Sequence, residues 1–153
     1  MTAPASAAAN QPEHSVHAEH LEELTAETAL PLLRKLSTIG DTTTVILHGG
    51  CVFEFKGPFP AGEVAEGFYN LDGPVPGFHG HLRLDAMARI RFQDRPHRGR
   101  ASYAFVFEDA AGKSLFKVFL GRDDSGEIYP GQLNFFNKLR ERGQSLLDEE
   151  QSP

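Results

Sequence analysis

The sequence predicts an α+β domain, with a mostly antiparallel sheet of about seven or more strands between N-terminal and C-terminal helices. Three observations carry this expectation. Between Thr42 and Gly121, β-branched and aromatic residues recur at every second position, the side-chain period of a strand. On both sides of that stretch the apolar spacing lengthens to the helical period. The intervening segments are short and rich in Gly, Pro and Asp, which favours antiparallel neighbours and a meander.

Taken in order, residues 1–13 (MTAPASAAANQPE) are dominated by Ala, with Pro, Ser and Gln and no periodicity. They read as a disordered tail. A single domain is predicted over 14–147, with 148–153 as a second tail. From His17, residues Leu21, Leu24 and Thr28 recur at helical spacing. Pro31 then predicts a break near Leu30 and a second short helix through Leu32, Leu33 and Leu36, closed by Gly40. Strands are predicted in TTTVILH (42–48), CVFEFKG (51–57), EGFYNLD (66–72), GFHGHLRL (77–84), MARIRFQD (87–94), ASYAFVFED (101–109) and SLFKVFLGRD (114–123). One last helix follows in PGQLNFFNKLRERGQSLL, with Pro130 at its start and Leu133, Phe136, Leu139 and Arg140 on neighbouring faces.

Composition removes several function classes. A chain of 153 residues with net charge −6 lacks the basic face that a general nucleic-acid binder needs. Acidic balance also disfavours an anionic membrane surface, and no apolar run approaches the roughly 20 residues of a spanning helix. The N-terminus shows no basic and apolar leader pattern, so a cytoplasmic protein is expected. Cys51 is the single cysteine, which excludes an internal disulfide and a cysteine-based zinc site.

The chemistry-bearing residues concentrate between positions 77 and 107. In GFHGHLRL, strand alternation puts His79 and His81 on one face, as a pair of ligands or as two solvated histidines. Gly77 and Gly80 leave room for close approach to the backbone. In ASYAFVFED, Tyr103, Phe105 and Phe107 share a face. A tyrosine there is either packing with its hydroxyl in water or a hard anionic donor suited to ferric iron. The loop RPHRGR gathers Arg95, His97, Arg98 and Arg100. Guanidinium forks suit carboxylates and phosphates, and a solubilising turn is the plain alternative. His14, His17 and His20 recur every third residue, which fits adventitious metal affinity. No phosphate loop, nucleophile elbow or calcium loop competes.

Long segments now resemble a known family. FKVFLGRDDSGEIYPGQLNFFNKLRER, GFYNLDGPVPGFHGHLRLD and VFEFKGPFPAGEVAEGFYNL are similar to the intracellular haem-utilisation carriers of the ChuX/HutX family. The resemblance runs from about Thr25 to Arg142. It implies a HemS/ChuX-like fold and a carrier that binds haem (iron-protoporphyrin IX) in the cytoplasm and passes it to a haem-degrading enzyme. A homodimer is implied as well, the two subunits together matching the tandem halves of HemS-type proteins. Haem is a flat apolar disc with two propionates and a Lewis-acid iron, so its site needs apolar walls, cations and an axial donor. By resemblance the iron ligand is Tyr103, with His79 or His81 as alternatives and His97 also at hand. Phe105 would wall the site, and Arg98 and Arg100 would steer the propionates. Some relatives carry a histidine just before the GFYNL strand, whereas here Glu66 stands there. That departure favours tyrosine. The alternative to a carrier is an enzyme that degrades haem or releases its iron.

Overall fold

The computed structural model describes residues 20–151, so the tail at 1–13 and the positions of His14 and His17 lie outside the described residues. All seven expected strands form. They are β2 (Asp41–His48), β3 (Cys51–Pro58), β5 (Phe68–Leu71), β6 (Gly80–Arg83), β7 (Arg89–Asp94), β8 (Tyr103–Glu108) and β9 (Ser114–Leu120). Two short strands join them: β1 (Glu23–Thr25) and β4 (Gly62–Ala65). The helices are α1 (Ala29–Leu36), α2 (Pro130–Arg142) and α3 (Gln144–Gln151).

The strands divide into two antiparallel sheets, one of six strands in the order β1-β7-β8-β9-β2-β3 and one of three in the order β4-β5-β6. A single meander is therefore corrected. After β3 the chain leaves the large sheet through Phe59 and Pro60, both buried, builds β4–β6, and re-enters at β7. Closure of the large sheet needs the long-range pairing of β9 with β2, in the register Thr42↔Leu120 to Val45↔Lys117. No local pattern encodes that contact.

The helices lie on one face of the large sheet. Phe105 and Phe107 of β8, Leu32, Leu33 and Leu36 of α1, Phe136 and Leu139 of α2 and Leu147 of α3 are all 0% exposed. Burial of each such side chain stabilises the fold by about 1.5–3 kcal/mol. Phe136 meets Phe92 edge-on at 5.4 Å and lies 5.1 Å from Phe105 between ring centroids. Aromatic packing thus locks α2 to the sheet.

Three further expectations are revised. The helix predicted from His17 is replaced, within the described part, by β1 and a 3-10 turn at Ala26–Thr28. β7 offers an unpaired edge there, and pairing Leu24 with Ile90 buries Leu24 as a helix need not. Pro31 does not divide the first helix. It sits in the first turn of α1, where a missing N–H costs no helical bond. The C-terminal helix does divide, at Gly143 with φ 67°, a left-handed position that glycine adopts without strain. Its second half runs beyond Leu147 to Gln151, carried by buried Leu146 and Leu147 and by ion pairs Lys35–Glu150 at 2.8 Å and Arg142–Glu149 at 3.0 Å. Among the described residues, no helix is long and apolar enough to cross a membrane.

Candidate functional site

The three-stranded sheet carries the first group of polar residues. Tyr69, Leu71 and Leu82 point to the core, and Tyr69 is only 1% exposed. Burial pushes its phenol pKa above the ordinary tyrosine value. Alternation then turns Phe68, Asn70, His81 and Arg83 to the outer face, paired as Phe68↔Arg83 and Asn70↔His81. There His81 Nδ1 lies 2.7 Å from Asn70 Oδ1. The Asn70 amide is held by donation from its Nδ2 to the Glu63 carbonyl at 3.3 Å, which fixes Oδ1 toward the imidazole. An amide oxygen only accepts, so the neutral ring carries its proton on Nδ1 and its lone pair on Nε2. This is how metal-binding histidines are commonly oriented. The imidazole stands edge-on to Phe68 at 6.4 Å, and the Arg83 guanidinium covers Phe68 at 4.9 Å. A donor nitrogen, an aromatic face and a cation thus share one exposed surface.

His79 is exposed but precedes β6, in the segment after the turn at Pro76 and Gly77. His79 thus lies one residue outside the strand whose outer face carries His81.

The second group surrounds the helix-free face of the large sheet, a trough of about 810 Å³. Gln93, Lys117, Phe119 and Val45 form its floor, and Arg95 and His97 line it from the loop after β7. Lys117 Nζ donates to Gln93 Oε1 at 3.0 Å. Burial first, then the cations Arg95 and Arg91, lowers its pKa from the ordinary lysine value. Beside it Glu108, 5% exposed, is paired with Arg91 at 2.5 Å and Arg89 at 3.6 Å.

The basic loop is a tight hairpin. His97 and Arg100 exchange backbone bonds at 2.8 and 3.1 Å across Arg98 (φ 54°) and Gly99 (φ 79°), the two left-handed positions of a type I′ turn. Arg98 is exposed. Arg100 reaches away to the Gly126 carbonyl at 2.7 Å, where Arg122 also donates at 3.1 Å. Arg122 bonds the Ala101 carbonyl as well. The loop is thereby tied to the turn at 123–127, where Asp123 accepts from Ser125 Oγ at 2.7 Å and the Glu127 N–H at 3.0 Å. The Ser125 hydroxyl first, then the backbone donors, hold the Asp123 carboxyl below its ordinary value.

Tyr103 and Phe105 occupy the opposite face. Tyr103 is half-buried against Phe136 at 5.3 Å, across from Asp94, which pairs with Arg140 at 2.9 Å. Phe105 is 0% exposed among Phe92, Phe135 and Phe136. The structure therefore separates the predicted residues into three places: His81 on the small sheet, His97 and Arg98 beside the trough, Tyr103 and Phe105 under α2. Asn70 was missed in the sequence. Its signal, a polar residue within an apolar strand, acquires meaning only through the β5–β6 register.

The pattern of known proteins settles the family. Residues 22–139 match the haem-utilisation ChuX/HutX family. The chain belongs to this family. It is 36% identical over 129 residues to the intracellular heme transport protein HutX of Vibrio cholerae, covering 84% of this chain and 67% of that one. Among solved structures, ChuX matches with a TM-score of 0.73 and 25% identity over 83% of this chain and 76% of its own. Holo-PhuS, a heme-binding protein of Pseudomonas aeruginosa, matches with a TM-score of 0.64 and 15% identity over 82% of this chain and 34% of that one. The latter shows the fold alone, and both agree with the α+β architecture described above.

Proposed function

We propose that this protein is an intracellular haem carrier that takes its cargo on the outer face of the small sheet, with His81 as the axial donor. The single observation that carries the site is the His81–Asn70 contact at 2.7 Å, which leaves Nε2 free on an exposed face. Phe68 supplies apolar surface for one edge of the porphyrin. Arg83 lies on that same face and takes the propionate role for which the sequence offers Arg98 and Arg100. Family membership and the transport role in the name of HutX support haem as the cargo. Binding without turnover, action in the cytoplasm, release to a haem-degrading enzyme and assembly as a homodimer complete the reading.

A haem titration followed by its visible spectrum tests it. Wild-type protein should give one saturable ferric spectrum, and a reductant should convert it to a ferrous spectrum without bleaching. His81→Ala should abolish that spectrum and leave the circular dichroism unchanged, while His79→Ala and His97→Ala keep it. A tyrosinate-type ferric spectrum that disappears in Tyr103→Phe would move the iron to Tyr103. Bleaching with release of a tetrapyrrole product would replace the carrier by an enzyme.

A further inference from the structure

We propose that Lys117 is a modification site, its amine taking the acyl group of small acyl phosphates that enter the trough on the helix-free face. The site is separate from the haem-carrier reading, and its test needs no haem.

The sheet register isolates this amine. Across the helix-free face the paired residues run Arg91, Val106, Lys117, Val45 and Glu54, one from each of β7, β8, β9, β2 and β3. Lys117 therefore rises between two valines, and Val106 is only 1% exposed. Among the described residues Lys117 Nζ has no carboxylate within ion-pair distance. The carboxylate that does act on it, Glu108, is itself held by Arg91 and Arg89. Nζ instead donates to Gln93 Oε1 at 3.0 Å. A neutral amide oxygen holds an ammonium less firmly than a carboxylate does.

The other four lysines differ. Lys56, Lys113 and Lys138 are exposed, and Lys35 is paired with Glu150 at 2.8 Å. Burial among apolar neighbours, and after it the cations Arg95 and Arg91, lower the Lys117 pKa from the ordinary lysine value. More of this side chain is then the neutral, nucleophilic amine at a given pH.

The same cations select the reagent. Arg95 and His97 reach the trough from the loop after β7, and Arg95 has no ion-pair partner among the described residues. A guanidinium beside an amine, with no acid between them, draws a phosphate and keeps it next to the nucleophile. A trough of about 810 Å³ admits a reagent of that size. In the step, the neutral amine attacks the acyl carbon. The C–N bond forms as the C–O bond to phosphate breaks, and the phosphate leaves with that electron pair and one amine proton. The products are an N-acyl lysine and inorganic phosphate, with no change of oxidation state. Acylation removes the cation from the trough floor.

Acetyl phosphate, added to the full haem-free chain, tests the site when each lysine is followed by peptide mass spectrometry. Lys117 should be acetylated several times faster than Lys113 and Lys138, and inorganic phosphate should slow Lys117 alone. Arg95→Ala should lower the Lys117 rate more with acetyl phosphate than with uncharged N-acetoxysuccinimide, since only the first carries an anion for Arg95 to hold. Circular dichroism should show the fold of this variant intact. A Lys117 rate at or below that of Lys113 and Lys138 would overturn the site. Equal losses with both reagents in Arg95→Ala, or no protection by phosphate, would overturn the selection of acyl phosphates.

Discussion

The two sheets use the same strand grammar to opposite ends. In β8 every residue after Tyr103 is buried, so both faces of the large sheet are closed at its centre: by helices on one side, by long polar side chains on the other. In β5 and β6 burial alternates, Tyr69 and Leu71 inward, His81 and Arg83 outward. The large sheet holds the domain together, and the small sheet holds an oriented imidazole in the open. The proposed site predicts that a residue at the centre of the first acts on stability, whereas one on the outer face of the second acts on haem binding.

The contrast can be broken at four points. Phe105→Ala should produce the largest change, a loss of about 3–5 kcal/mol in denaturant unfolding, because three aromatic rings close on that site. A loss below about 1 kcal/mol would mean that the centre of the large sheet is loosely packed. Gln132→Leu comes next. Its side chain, 3% exposed, accepts from the Gly121 N–H at 2.7 Å and donates to Ile39 O at 3.0 Å and Asp41 O at 2.8 Å. Loss of this clamp between α2 and the ends of β9 and β2 should cost about 1–3 kcal/mol in the same measurement.

Asn70→Ala sharpens the comparison from the other side. Stability should change by less than about 1 kcal/mol, yet haem affinity should fall roughly 10- to 100-fold as the His81 ring loses its orienting acceptor. Asn70→Asp keeps an acceptor and should restore most of the affinity in the same titration. An equal stability loss without any affinity loss would separate Asn70 from the site.

The smallest effect belongs to Asp123, and it is one of pH. Its folded-state pKa is depressed, so its contribution is present above the unfolded carboxylate pKa and is lost as pH falls through the folded value. Asp123→Asn should lower the melting temperature slightly at neutral pH and flatten its acid limb, so that the two curves converge at acid pH. An identical acid limb in both proteins would refute the assignment.

Much of this architecture was legible in the residues. Strand positions follow from a period of two, because alternate side chains must choose between core and water. The segments at 42–48 and 101–109 show this, as does the close of the first helix at Leu36. The helical spacing around Leu24 misled because an open edge of β7 outweighs weak local propensity. The position of Pro31 was equally ambiguous, since a helix start and a helix break use the same residue.

What the sequence determined by itself is therefore local: which segments are strands, which residues can donate to iron or to a carboxylate, and which family the long motifs match. Tertiary structure alone decided how those donors are grouped. His79 and His81 look paired, but β6 begins at Gly80 and only His81 receives a strand partner, Asn70. Tyr103 shares a face with Phe105 and Phe107, and only the packed α2 shows that this face of β8 meets Phe136. The physical reason is that alternation sets which residues share a face, while the closure of β9 against β2 and the departure of β4–β6 into their own sheet set what that face meets.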